Sequence, residues 1–187
     1  MRFQVIYADP PWRYNQKSLS GAAEKHYKTL SDEELYQLEI EKIVADNCVL
    51  FLWATYPKLP EALKLIERWG FTYKTIGFVW VKQTAKSHKW FFGLGFWTRG
   101  NSEICLLATR GKPKKISSKV SQLIVSPVER HSKKPDEVRH RIEQLMGEVP
   151  RVELFARQKY DGWMCLGDEI DGLDIREAIQ NVEEMEG

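Results

Sequence analysis

Nothing in this sequence approaches the roughly 20 consecutive apolar residues of a membrane-spanning helix, and its first residues lack the apolar stretch of a signal peptide. No membrane association is expected, and a cytoplasmic location is. Cysteine is scarce. Cys48, Cys105 and Cys165 are odd in number, far apart and set in apolar runs. They read as reduced core residues, which excludes a disulfide framework, a zinc pattern and an evident nucleophile. The G-x-G-x-x-G fingerprint of dinucleotide folds is missing too, because Gly93-Leu94-Gly95 is too short and stands in the wrong context. There is no internal repeat, no low-complexity block and no linker that would divide the 187 residues. The expectation is one domain over residues 1–173. Residues 174–187, with five acidic groups against one basic, are expected to form an acidic C-terminal helix or tail.

What is present is the composition of a globular protein, 43% hydrophobic and 29% charged, long enough for a full core. The net charge of +2 conceals an asymmetry. From Lys82 to Arg141 there are 14 Lys and Arg against 4 Asp and Glu, and elsewhere 14 against 22. A surface facing a polyanion produces such a bias, and so does scattered solvated charge.

Strands are predicted over Phe3–Ala8, Cys48–Trp53, Tyr73–Lys82, Glu103–Thr109, Gln122–Ser126, Arg151–Ala156 and Trp163–Leu166. Several are unbroken apolar runs, such as Val49-Leu50-Phe51-Leu52, which is the pattern of strands covered on both faces. Between them, Ser31 with Glu34 makes a capping-box pattern ahead of Leu35, Leu38 and Ile43. A second helix is predicted from about Lys58 to Trp69, and a third with Pro135 in its first turn, ending before Gly147. This alternation predicts an open, doubly wound α/β sheet, in which ligands bind beyond the carboxyl ends of strands.

Asp9-Pro10-Pro11-Trp12 stands at such an end. Two prolines fix two φ angles and remove two amide donors, and the first pushes Asp9 toward an extended backbone. The turn can therefore aim the Asp9 carboxylate and the Pro10 carbonyl at one point beside an aromatic face, which would suit an exocyclic amino group on a planar base. The alternative is that Pro-Pro merely ends a strand and Trp12 fills the core. Two stretches look irregular. Residues 16–28 read as a loop, and Lys89–Asn101 packs five aromatics among three glycines. The latter is either a hairpin with core aromatics or a basic aromatic loop that touches unstacked bases.

The turn resembles the catalytic motif of amino-group methyltransferases acting on adenine, in the Trp-ending form of the MT-A70 family. Other blocks resemble the same family in the same order: Tyr27-Lys28-Thr29-Leu30, Phe51-Leu52-Trp53, Glu103 followed by Cys105-Leu106 and Arg110-Gly111-Lys112-Pro113, and His131-Ser132-Lys133-Lys134-Pro135-Asp136-Glu137. The last is Glu153-Leu154-Phe155-Ala156-Arg157 with Gly162-Trp163 and Gly167-Asp168-Glu169, so the likeness runs from about residue 5 to 172.

The resemblance implies a Rossmann-like class I methyltransferase fold, mostly parallel with helices on both faces, with the catalytic turn ahead of the main cofactor segment. It implies S-adenosylmethionine as cofactor and no metal. Adenine N6 in nucleic acid would be the acceptor, with a flipped-out base and DNA ahead of RNA, by analogy with relatives that are bare catalytic domains. RNA methylation, a non-catalytic nucleic-acid-binding subunit, or methylation of a protein side-chain amide are the alternatives. A homodimer or a methyltransferase-like partner subunit is compatible with it. By the same resemblance Asp9, Pro10, Pro11 and Trp12 form the catalytic turn, and Trp12, Tyr27 and Glu103 contact the substrate adenosine. Asp9, His131, Ser132, Lys134, Glu153, Arg157, Asp168 and Glu169 contact the cofactor, Lys134 through its carboxylate and Glu153 through ribose hydroxyls.

Overall fold

Residues Phe3–Ala8 form the first strand, β1, in which Val5 and Tyr7 point to one face while Ile6 and Ala8 point to the other, all of them buried. Both faces must therefore be covered, and the chain supplies a layer for each. The computed structural model describes residues 2–14, 28–95, 97–130 and 133–184. Within these, the further strands are β2 (Val44–Ala54), β3 (Thr72–Gln83), β4 (Ser102–Arg110), β5 (Leu123–Pro127), β6 (Arg151–Leu154) and β7 (Met164–Leu166). The helices are α1 (Asp32–Tyr36), α2 (Leu59–Arg68), α3 (Glu137–Met146), α4 (Asp168–Asp171) and α5 (Ile175–Glu184).

The seven strands lie in the order β5-β3-β4-β2-β1-β6-β7. Every neighbouring pair is parallel except those made by β4, which runs against both β2 and β3. On one face α1, α2 and α5 contribute Leu35, Leu65, Ile66, Ile179 and Val182 to a core with Ile6, Leu50 and Leu52. On the other, Val138 and Ile142 of α3 pack with Val5, Tyr7, Phe51 and Trp53. The expected α/β architecture with helices on both faces is what the molecule has.

Two consequences of this order build the site. The chain leaves β1 for β2 on one side and later lays β6 on the other, so the carboxyl end of β1 is a topological switch point. The reversal of β4 also carries its first residues, Ser102 and Glu103, to the rim where the other six strands end. Its last residues, and the basic segment after it, lie at the opposite rim.

Several boundaries differ from expectation for identifiable reasons. The capping box forms as predicted, with Ser31 Oγ accepting from the Glu34 amide at 3.2 Å and Glu34 accepting from the Ser31 amide at 2.8 Å. The helix it starts nevertheless ends at Tyr36, and a short 3₁₀ turn at Ile40–Lys42 helps bury Leu38, Ile40 and Ile43 separately. Helix α3 begins at Glu137 and not in the turn of Pro135, since Asp136 serves as N-cap without a side-chain cap. The Asp136 carboxylate is committed instead to Lys133, Arg139 and Tyr160. Strand β6 stops at Leu154 because Phe155 has φ 61°, outside the extended region. Within the acidic C-terminal stretch Ile175–Glu184 form α5, with Ile175, Ala178, Ile179 and Val182 buried at helical spacing.

Accepting the Ser31 amide hydrogen chiefly holds the Glu34 carboxyl down at about 2, with Ser31 Oγ and Arg176 assisting. A depressed carboxyl stabilises the fold above its ordinary pKa and stops doing so as pH falls through the depressed value. Urea unfolding should therefore find Glu34→Gln less stable than the native chain near pH 7, with the gap closing between about pH 4.5 and 2. Ser31→Ala should cost about 1 kcal/mol near neutrality.

Candidate active site

The turn after β1 is closed by its own backbone. The Trp12 amide donates to the Pro10 carbonyl at 2.9 Å across Pro11, and the Leu30 amide donates to the Pro11 carbonyl at 3.0 Å. The first is the three-residue turn that a proline at its centre favours. A carbonyl oxygen has two lone pairs, so Pro10 keeps acceptor capacity after serving Trp12. Trp12 itself is 6% exposed and packed into the core, with its indole N–H donating to the Trp53 carbonyl at 3.3 Å. It gives the cavity a wall and the core a filler at once. The more open aromatic beside it is Tyr14, whose hydroxyl lies 2.6 Å from Thr55 Oγ1.

A row of alternating charges runs from this turn along the rim. Lys134 Nζ stands 3.0 Å from Asp9 Oδ2 and 3.7 Å from Glu103 Oε1, and Lys82 Nζ stands 3.0 Å from Glu103 Oε2. Lys134 is 8% exposed, and its ammonium also lies 5.5 Å from the centre of the Trp53 ring. Burial pushes the Asp9 carboxyl above its ordinary value, Lys134 pulls it back down, and the charge of Glu103 adds a further push upward. Burial works against the charge on Lys134 as well, yet Asp9 and Glu103 outweigh it and hold that group above the ordinary lysine value. Glu103 is thus a nearly buried, doubly paired carboxylate, not a solvated one at a strand edge.

Two cavities meet at this row. The smaller, about 260 Å³, is bounded by Asp9, Pro10, Trp12, Tyr14, Trp53 and Glu103. The larger, about 1210 Å³, runs over Tyr7, Arg139, Glu153 and Tyr160. Asp9, Lys134, Phe155, Arg157, Asp168 and Glu169 line both. On the floor of the larger cavity Arg139 forks onto Glu153, with Nε at 2.7 Å from Oε2 and a terminal nitrogen at 2.6 Å from Oε1. The guanidinium also lies 3.6 Å from the centre of the Tyr160 ring. Burial raises the Glu153 carboxyl while Arg139 opposes the rise. A helix carries Arg139, yet its neighbours on that face are Val138 and Ile142, so the arginine is drawn inward to meet β6.

The structure thus brings Asp9, Pro10, Pro11, Trp12, Glu103, Lys134, Glu153, Arg157, Asp168 and Glu169 around two adjoining cavities. Arg157 and Glu169 approach only to 3.9 Å. Tyr27, His131 and Ser132 lie outside the described residues. Sequence reasoning missed Tyr14, Trp53, Lys82 and Arg139 as neighbours of the site. Arg139 alone had a usable signal, a charge placed among the apolar positions of a helix. Cys48 and Cys105 are buried, and burial pushes the Cys48 thiol up to about 12, in keeping with inert core residues. No group of three or more His, Cys, Asp or Glu able to hold a metal occurs among the described residues.

Because each oxygen of Glu153 accepts from one prong of Arg139, Arg139→Met strands a buried carboxylate. Thermal or denaturant unfolding should register a loss of about 3–5 kcal/mol. Arg139→Lys should recover only part of it, since an ammonium cannot reproduce the fork.

The chain matches the MT-A70 family over residues 3–169. It is 35% identical over 200 residues to the type II methyltransferase M.MunI of a Mycoplasma species, a likeness that covers 96% of this chain and 82% of that protein. It is 32% identical to a putative N(6)-adenosine-methyltransferase MT-A70-like protein of Medicago truncatula, covering 93% of this chain and 27% of the relative. Against the human N(6)-adenosine-methyltransferase catalytic subunit METTL3 the identity is 30%, covering 93% and 29% respectively. The chain spans most of the bacterial relative but under a third of the two others. A Rossmann-like sheet and a family match over nearly the whole sequence agree, and the chain belongs to the MT-A70 family of methyltransferases.

Proposed function

We propose that this protein transfers a methyl group from S-adenosylmethionine to N6 of an adenine extruded from nucleic acid, with DNA preferred over RNA. The observation that carries the reading is the pair of cavities sharing Asp9 and Lys134, one small and walled by aromatic rings, the other large and bordered by charged side chains. Methyltransferases of this family use S-adenosylmethionine, and the larger cavity offers a donor set that fits it: a buried ammonium at Lys134 for a carboxylate, and acceptors at Glu153 and Asp168 for hydroxyl and amino groups. Bound there, the cofactor would supply an electrophilic methyl on a sulfonium.

The remaining work falls to the chain. Asp9 and the Pro10 carbonyl accept the two hydrogens of the adenine amino group, which localises the nitrogen lone pair and fixes its direction; the proton shed as the nitrogen gains the methyl passes to the Asp9 carboxylate, and the sulfonium would leave as a neutral thioether. Trp12 and Tyr14 wall the base, and Glu103 borders the same cavity. Catalysis on this reading is chiefly placement, with electrostatic help from acceptors that need no rearrangement. An adenine stacked in a duplex cannot reach such a cavity, so the base must be flipped out or single-stranded. Lys134 keeps its role toward the cofactor while pairing with Asp9, since an ammonium has three donors to distribute. Arg139 orients Glu153 for the ribose.

The preference for DNA rests on the likeness that covers 82% of the type II methyltransferase, against 29% of METTL3. RNA is the second reading, favoured by relatives named as N(6)-adenosine-methyltransferases.

The chain should be incubated with methyl-labelled S-adenosylmethionine and either unmethylated DNA or transcribed RNA, and the products digested to nucleosides. Label is expected in N6-methyldeoxyadenosine. Asp9→Ala should lower transfer by at least about a hundredfold and leave nucleic-acid affinity nearly unchanged. Label confined to RNA would replace DNA by RNA, and no label in either despite bound cofactor would overturn the enzymatic reading.

A further inference from the structure

Between β3 and β4 the chain makes a hairpin of two small lobes, on which Trp90, Phe92, Leu94 and Trp97 are turned away from the core. Its base is fastened to the acceptor cavity, because the Lys82 amide donates to the Asn101 carbonyl at 2.9 Å and the Phe91 amide to the Lys82 carbonyl at 3.0 Å. Lys82 is the residue that holds Glu103. The first lobe closes where the Thr84 amide meets the Lys89 carbonyl at 2.8 Å, and the second where the Gly93 amide meets the Gly100 carbonyl at 2.8 Å. The second lobe needs its glycines: a Cβ on Gly93 would fall 2.6 Å from the Gly100 oxygen, and one on Gly95 1.8 Å from the Thr98 oxygen.

That tight backbone presents Trp90, Phe92, Leu94 and Trp97 to solvent, at 57%, 67%, 85% and 99% exposure. Core packing therefore does not explain them. Exposed apolar groups in such a cluster mark an interaction surface. The charge around them selects the occupant. Residues 84–101 contain Lys86, Lys89 and Arg99 and not one Asp or Glu. In a two-fold pairing of this patch with itself, those cations would face their own copies. A polyanion with flat apolar faces satisfies both features, the phosphates meeting the cations and the bases meeting the aromatics.

We propose that the second lobe is a base-stacking wedge, with Trp97 inserted into the nucleic acid next to the target adenine while Lys86, Lys89 and Arg99 hold the flanking phosphates. The inference rests on the nucleic-acid reading above and deepens it. Trp97 precedes Glu103 by six residues, so it works within about 20 Å of the acceptor cavity. An indole at that place fills the gap that an extruded base leaves and stabilises the extruded state, as apolar wedges do when they part base steps.

The test uses the full-length chain and its variants, titrated by fluorescence anisotropy into labelled mixed-sequence DNA and RNA over a range of sodium chloride concentrations. Trp97→Ala should weaken binding about tenfold without changing the salt dependence, and Trp97→Phe should recover most of the loss. The triple variant Lys86→Ala, Lys89→Ala, Arg99→Ala should instead flatten the slope of log affinity against log salt by about two on single strands. Native-like affinity in Trp97→Ala, with methyl transfer intact, would overturn the wedge and leave the proposed reaction standing. A change of sedimentation from dimer to monomer in Trp97→Ala, with affinity for nucleic acid unchanged, would overturn it in favour of self-association. Failure of the native chain to bind either nucleic acid would overturn the wedge and the nucleic-acid reading together.

Discussion

Lys134, buried between Asp9 and Glu103, supplies the interaction on which the site depends. Two carboxylates brought to one half-dry rim repel each other, since a pair of unit charges 4 Å apart interacts by about 4 kcal/mol even at an effective dielectric constant near 20. One ammonium between them, with Lys82 closing the far end, turns the repulsion into a row of alternating sign. Lys134 thereby draws the Asp9 carboxyl back down from the higher value that burial and the charge of Glu103 impose. Because Lys134 borders both cavities, the same cation links the place where a base would be accepted to the place where a cofactor would lie.

The row exists because of strand order. Asp9 comes from the end of β1, Glu103 from the start of an antiparallel β4, Lys82 from the end of β3, and Lys134 from the residues before α3. Four segments distant in sequence meet at one rim only if β4 is reversed. Phe155, whose positive φ ends β6, borders both cavities.

Much of this was legible in advance where the signal is local. Unbroken apolar runs identified strands covered on both faces, a Ser-x-x-Glu pattern identified α1, and Asp-Pro-Pro-Trp identified the turn that carries Asp9. What escaped was whatever depends on register between distant segments. No spacing indicates that Lys82 and Glu103 lie across a hairpin from each other, or that Arg139 on a helix meets Glu153 on a strand. The basic stretch from Lys82 to Arg141 is continuous in sequence, but β4 crosses the sheet within it. Lys86, Lys89 and Arg99 end at the rim of the site, while Lys112, Lys114, Lys115 and Lys119 follow β4 at the other. The excess is therefore divided between the two rims, with Lys82, Lys134 and Arg139 also at the site. Trp12, chosen as a face for a base, is as much a core residue as a wall.

Asp9 as a carboxylate poised by its two charged neighbours is the central claim, and carbon-detected NMR of the side-chain carboxyl through a pH titration tests it most directly. In the native chain Asp9 should titrate above the ordinary aspartate value. Lys134→Met should move its midpoint further up, and Glu103→Gln should move it down. A midpoint that stays in place in both variants, or shifts the same way in both, would contradict the account.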